Sequence, residues 1–243
     1  MGQYYHACIM DKRYISEPMV VFCPHEWDNG AKLMEHSYEA NKMVIAFTEQ
    51  LVASSENGAC RAAWVGDYSN EILTDPDYLK TLNPQEIEAL WNMYIKAWCL
   101  DVYEKDSLNR KDMYPIWEEI RPEDVEHSLT YETIAIANLD RKEYVLTRPR
   151  DNSDWPYTIS RIALLLCFYN SAGGSYHSKV HADMVGRWAG QRLVAQYAGS
   201  GDVLEPEWIA QRVAEHEEDD GTGHRKHMDF SEFTELTFEF KEE

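Results

Sequence analysis

Basic residues are what this sequence is short of. Its 243 residues carry 23 Lys and Arg against 43 Asp and Glu, a formal charge of −20. A field of that sign repels nucleic-acid phosphates and anionic membranes, so direct binding to either is excluded and basic surfaces become the natural partners. Cysteine pairs are missing too. Cys8, Cys23, Cys60, Cys99 and Cys167 are odd in number and nowhere spaced C-x-x-C, which argues against a secreted disulfide framework. Long apolar runs are absent: the longest, residues 162–169, falls far short of the roughly 20 residues that span a bilayer. The opening Met1-Gly2-Gln3-Tyr4-Tyr5 lacks the basic and apolar regions of a signal peptide. His6 stands where a myristoylation signal carries Ser or Thr. These absences together lead to the expectation of a soluble, cytoplasmic chain.

Apolar and aromatic residues are plentiful. Hydrophobic residues make up 44% of the chain, with eight Trp and fifteen Tyr, enough for a sizeable core. A phrase recurs along it. Asp11-Lys12-Arg13-Tyr14 with Trp64-Val65-Gly66-Asp67 is echoed by Asp140-Arg141-Lys142-Glu143-Tyr144 with Trp188-Ala189-Gly190-Gln191. Two copies are too few for a solenoid and suit a doubled unit.

Residues 4–10 and 19–23 read as a strand hairpin, 24–30 as a loop, and 60–65 as a strand ending at Gly66-Asp67. Between them Ala40, Met43, Val44, Phe47 and Leu51 recur at helical spacing behind Ser37, the expected N-cap. Asn83-Pro84 opens a second helix, with an apolar stripe of Ile87, Leu90, Trp91, Tyr94, Ile95, Trp98 and Val102. Such a stripe is far more often core than ligand box. A short helix is expected at 116–120, a second hairpin at 133–147, a buried strand at 159–169 with a short buried helix as the alternative on periodicity, and a strand with a glycine bulge at 188–196. Leu236, Phe238 and Phe240 alternate with Glu235, Thr237 and Glu239 as a last strand. The expected fold class is α+β: two related lobes of antiparallel strands with covering helices and a pseudo-twofold internal duplication. The expected divisions are an N-terminal lobe over 1–104, a connector over 105–130, and a C-terminal lobe with an acidic tail over 131–243.

Several groups could carry chemistry. Cys23, His25 and Glu26, with Glu35 and His36 nearby, could supply a nucleophile and base or metal ligands; a buried thiol beside a surface imidazole explains them as well. His177 and His181 are four residues apart, with Asp183 beyond, and on a helix they would be metal ligands on one face. The Gly173-Gly174 loop before them and the Ser178-Lys179 between them do not favour that helix. The glycine loop lacks the Lys-Ser/Thr of a phosphate cradle. Asp67 and Asp183 would be an acid–base pair if the lobes faced each other. His216, His224, His227 and Asp229 surround an acidic loop whose spacing is not that of a calcium-binding hand. That loop, with Glu215, Glu217, Glu218, Asp219 and Asp220, is the candidate partner-binding surface. Residues 205–243 hold thirteen carboxylates against four Lys and Arg.

Met1-Gly2-Gln3-Tyr4-Tyr5 and Lys32-Leu33-Met34-Glu35 resemble the opening of an uncharacterised family of bacterial and bacteriophage proteins that begin M-G-Q-Y-[YW] and soon carry K-L-M-E. Asn138-Leu139-Asp140-Arg141-Lys142-Glu143-Tyr144 and Gly186-Arg187-Trp188-Ala189-Gly190-Gln191-Arg192 are similar to N-L-D-K-K-E-Y and G-R-W-A-G-D-R of shorter relatives, with Gln191 where those carry an acid. The resemblance implies a prokaryotic or phage setting and no particular activity. The functional expectation is an acidic cytoplasmic binding protein, such as a phage inhibitor docking on a basic surface of a nucleic-acid-handling host complex. The alternatives are a metal-assisted or acid–base enzyme with a cleft between lobes, using Asp67, His177, His181 or Asp183, and a sink for nucleotides or other small ligands. No cofactor is indicated.

Overall fold

A computed structural model describes residues 4–10, 19–56, 58–67, 78, 80–84, 86–87, 117–125, 133–147, 159–168, 184–197 and 234–236. The first hairpin is β1 (Tyr5–Met10) and β2 (Met19–Phe22). A 3-10 helix (Pro24–Trp27), α1 (Leu33–His36) and α2 (Lys42–Ser55) lead to β3 (Cys60–Gly66). Then come β4 (Trp117–Glu119) and α3 (Pro122–Val125), inside the expected connector. The second hairpin, β5 (Ile134–Asn138) and β6 (Glu143–Thr147), precedes α4 (Arg161–Leu166), β7 (Cys167–Phe168), β8 (Arg192–Tyr197) and β9 (Thr234–Glu235). The architecture is α+β.

One sheet runs β4-β2-β1-β3-β8-β5-β6-β9. Its six middle strands are antiparallel, while β4 and β9 join the two ends in parallel. The two hairpin-plus-strand sets therefore lie side by side, joined where Cys60 faces Leu193 and Arg61 faces Arg192. The other end of β3 pairs with β7.

Every residue of β1, β3 and β5 is buried. Alternate positions point to opposite faces of a sheet, so both faces are covered. One face carries Tyr5, Ile9, Phe22, Trp64, Ile136, Val145 and Leu193. It packs Phe47 of α2 edge-on against Trp64, with ring centroids 4.4 Å apart, and against Phe22 at 5.6 Å. Burying side chains of this size contributes roughly 1.5–3 kcal/mol each. The other face is built of small residues, among them Cys8, Ala63, Val65, Ala135, Ala137 and Val194, all almost completely buried.

Local expectations meet mixed outcomes. The α2 stripe of Met43, Val44, Phe47 and Leu51 is buried as its spacing requires. Its N-cap is Asn41, whose Oδ1 accepts from the Met43 N–H at 2.9 Å; Ser37 instead bonds back to the Leu33 carbonyl within α1. Asn83 and Glu86 form the reciprocal cap expected of a helix start: Asn83 Oδ1 accepts from the Glu86 N–H at 2.9 Å, and Glu86 Oε2 from the Asn83 N–H at 3.0 Å. The stripe from Leu90 to Val102 lies outside the described residues. The helix expected at 116–120 is a strand, β4, paired with β2. Of the two readings of 159–169, the strand and the short buried helix, Arg161–Leu166 takes the helix and only Cys167–Phe168 the strand, because an all-apolar run carries no phase; Ser160 caps the helix with its Oγ 3.4 Å from Ala163 N. The strand expected from Trp188 begins only at Arg192. Residues 184–190 form turns, in which Gly186 and Gly190 take φ of 72° and 71°, a region glycine enters without strain. Trp64 is thus inside a strand while Trp188 precedes one, so the tryptophans of the repeated phrase do not share a place in the fold. Among the described residues no helix is long and apolar enough to cross a membrane.

Candidate functional site

The segments 138–144 and 186–192 fold against each other. Asn138 ends β5 with its Oδ1 accepting from Asp140 N and Arg141 N, both at 2.9 Å, which bends the chain into the hairpin turn. Its Nδ2 donates to Gln191 Oε1 at 2.8 Å. The Asp140 carboxylate accepts from the backbone N–H of Arg192 at 2.8 Å and from its Nε at 2.7 Å. Arg141 Nε donates to the Arg187 carbonyl at 2.9 Å. Glu143 accepts from Arg187 Nε at 3.0 Å, from a second nitrogen of the same guanidinium, and from Trp188 Nε1 at 2.8 Å. Burial alone would raise the carboxyl pKa of Glu143. The bonds from Arg187 and Trp188 outweigh it and hold the group below its ordinary value.

On the other face Arg61 is 1% exposed. It donates to the Gly190 carbonyl at 2.8 Å, to Glu86 Oε1 at 2.9 Å, and to the Tyr78 hydroxyl. Burial pushes the Tyr78 phenol pKa up, so it remains a neutral hydroxyl. Arg61 therefore ties Tyr78 and Glu86 to the turn that feeds β8.

A third joint involves the K-L-M-E word. Glu35 Oε2 accepts from Lys32 N at 3.0 Å, and a Cβ on Gly30 would lie 2.2 Å from that oxygen. Only glycine leaves the carboxylate in place there. The turn presents the Gly30 carbonyl 3.0 Å from His36 Nδ1, while Trp64 Nε1 donates to His36 Nε2 at 3.0 Å. An indole N–H can only donate, so the ring proton sits on Nδ1 and the imidazole is neutral. Burial lowers the His36 pKa to about 4, against 6.5 for a free ring. The unfolded chain thus binds the extra proton first as pH falls, and stability drops between pH 6.5 and 4. The full effect is roughly 3 kcal/mol from the size of that shift. Urea titrations across this range should show the slope, and His36→Gln, which does not titrate, should remove it.

The residues singled out for chemistry are placed as follows. Asp67 closes the β1–β3 ladder: its Oδ1 accepts from Tyr4 N and its own N–H donates to the Tyr4 carbonyl, both at 3.0 Å. His177, His181, Asp183, Glu215, Glu217, Glu218, Asp219 and Asp220 lie outside the described residues. His25 is exposed and Cys23 is half-buried, while His36 belongs to the Trp64 joint. Cys8, Cys60 and Cys167 are buried free thiols. Burial pushes the Cys167 pKa up to about 12 and that of Cys8 higher still, so neither forms the reactive thiolate near neutral pH. Among the described residues no group of three or more His, Cys, Asp or Glu could hold a metal ion.

Glu143 was not a sequence candidate. The signal for Glu143 and Arg187 was the pair of words over 138–144 and 186–192, which in the fold form a joint between chain segments; Arg61 lies in neither word. Comparison with known proteins gives no matching family model, no matching curated protein and no matching solved structure.

Proposed function

We propose that this chain is an acidic cytoplasmic binding protein that docks on a basic surface of a nucleic-acid-handling complex, as a phage-encoded inhibitor would. The observation that carries the reading is the charge of −20. Arg61, Arg187 and Arg192 are each matched inside the fold by Glu86, Glu143 and Asp140. Those pairs are neutral overall, so the acid excess remains for the rest of the molecule. Such a field accelerates encounter with a basic partner and competes with nucleic acid for the same surface.

In a binding assay against a candidate DNA- or RNA-binding complex, the chain should displace the nucleic acid. Its association rate should fall about tenfold or more between low and high salt. Replacing Glu215, Glu217, Glu218, Asp219 and Asp220 by their amides should slow association. A salt-independent rate, or simultaneous binding of chain and nucleic acid without competition, counts against the reading.

The architecture belongs to the same proposal: the chain is a doubled unit. The support is ladder register. Ala7 faces Phe22 on one side and Trp64 on the other, as Ile136 faces Val145 and Ala195. At the parallel edges Val20 faces Glu118 as Glu143 faces Thr234. The next bond also repeats: Ile120 N to Val21 O at 3.0 Å, and Leu236 N to Tyr144 O at 2.9 Å. With Ala7 matched to Ile136, the same offset matches Asp11-Lys12-Arg13 to Asp140-Arg141-Lys142, and carrying the ladders across matches Arg61 to Arg192.

A further inference from the structure

Matched residues that face each other mark a twofold axis. Arg61 and Arg192 are such a pair, opposite one another across β3 and β8. In an interface between identical subunits, a residue on the axis meets its own copy. Two arginines would otherwise be a poor cross-strand choice, since like charges directly opposite repel. Each here has its own carboxylate, Glu86 for Arg61 and Asp140 for Arg192.

The seam has more than this one pair. Ser55 at the end of α2 accepts from Ala195 N at 2.8 Å, Gly190 N donates to Ala62 O at 2.9 Å, and Arg61 reaches the Gly190 carbonyl. Helix α2 of the first half packs on β8 of the second, and α4 of the second packs on β3 of the first. Resting on the duplication reading above, we infer that the β3–β8 seam is a fused subunit interface, and that the partner it fits is a second copy of the half-unit. The covalent link between Val125 and Thr133 is then not required to hold the seam together. Fusion replaces a bimolecular association with an intramolecular one at high effective concentration.

Two variants of the full chain test this. In the first, Leu193→Cys faces the native Cys60. Oxidation should yield the 60–193 disulfide, found by peptide mapping, if the register through the axis is right; a free Cys60 would overturn the register and with it the duplication. In the second, a protease site between Val125 and Thr133 is cut after folding. The halves should sediment together as a one-to-one complex under reducing conditions. The melting temperature of the cut protein should fall on dilution, while that of the uncut chain stays constant. Folded halves that separate at micromolar concentration, or halves that unfold on cutting, would overturn the fused interface and leave the register result standing.

Discussion

Glu143→Ala should lower the unfolding free energy by about 3–5 kcal/mol, the cost of stranding the partners of a buried charge. The substitution removes one carboxylate and three bonds. Arg187 is 29% exposed and recovers some solvation from water. Trp188 is fully buried and recovers none, so its indole N–H bears the ordinary penalty of an unmade bond, about 1–3 kcal/mol. Glu143→Gln retains shape and one acceptor oxygen, and should cost about 2 kcal/mol. Changing Glu143 and Arg187 together to Met should cost less than Glu143→Ala, since no charge is left unpaired. Chemical denaturation of the four proteins separates these outcomes. The sign with pH is also fixed. The folded pKa of Glu143 lies below its unfolded value, so its contribution is present above the unfolded pKa and is lost as pH falls through the folded one. Glu143→Gln should flatten that acid limb, which starts near the ordinary carboxyl value of 4.5 and so overlaps the lower end of the range in which His36 acts.

The sequence is informative where one element explains itself. The stripe Met43-Val44-Phe47-Leu51, the Asn83–Glu86 cap and the β5–β6 turn at Asn138 all follow from spacing and local bonding within a few residues. Residues 159–169 defeat the same reasoning, because Ile162, Ala163, Leu164, Leu165 and Leu166 are all buried and no periodicity distinguishes helix from strand. The partners of Glu143 lie 44 and 45 residues away and that of Asp140 lies 52 away. No local rule links them. The repeated words contain Asp140, Glu143 and Trp188 but not Arg61 or Arg187, and the equivalence of Trp64 and Trp188 suggested by the words does not match their places in the fold. His36 looked like a possible ligand because its neighbours in sequence, Cys23 and Glu35, are ligand types. Its actual partner, Trp64, is 28 residues on.

Substitution of Arg61 should have the other large effect. The strand read over 60–65 places this arginine amid Cys60, Ala62 and Ala63. It is 1% exposed, because the small-residue face of the sheet is covered as well. Arg61→Ala should destabilise by about 3–5 kcal/mol, leaving Glu86 unpaired and the Gly190 carbonyl without its donor. One term acts the other way: loss of Arg61 relieves repulsion with Arg192 across the ladder. That relief is the smaller effect, because Arg192 is 41% exposed and already paired with Asp140 at 2.7 Å. Arg61→Lys should recover only part of the loss, since one ammonium cannot match the fork that reaches Tyr78, Glu86 and Gly190 together. Hydrogen exchange locates the damage. The amide of Gly190, bonded to Ala62 O, and that of Ala195, bonded to Ser55 Oγ, should lose protection before those of the β1–β2 hairpin, because Arg61 holds the seam and that hairpin lies beyond β3 from it. Equal loss of protection across the whole sheet would mean that the seam does not open separately, and that Arg61 acts on global stability alone.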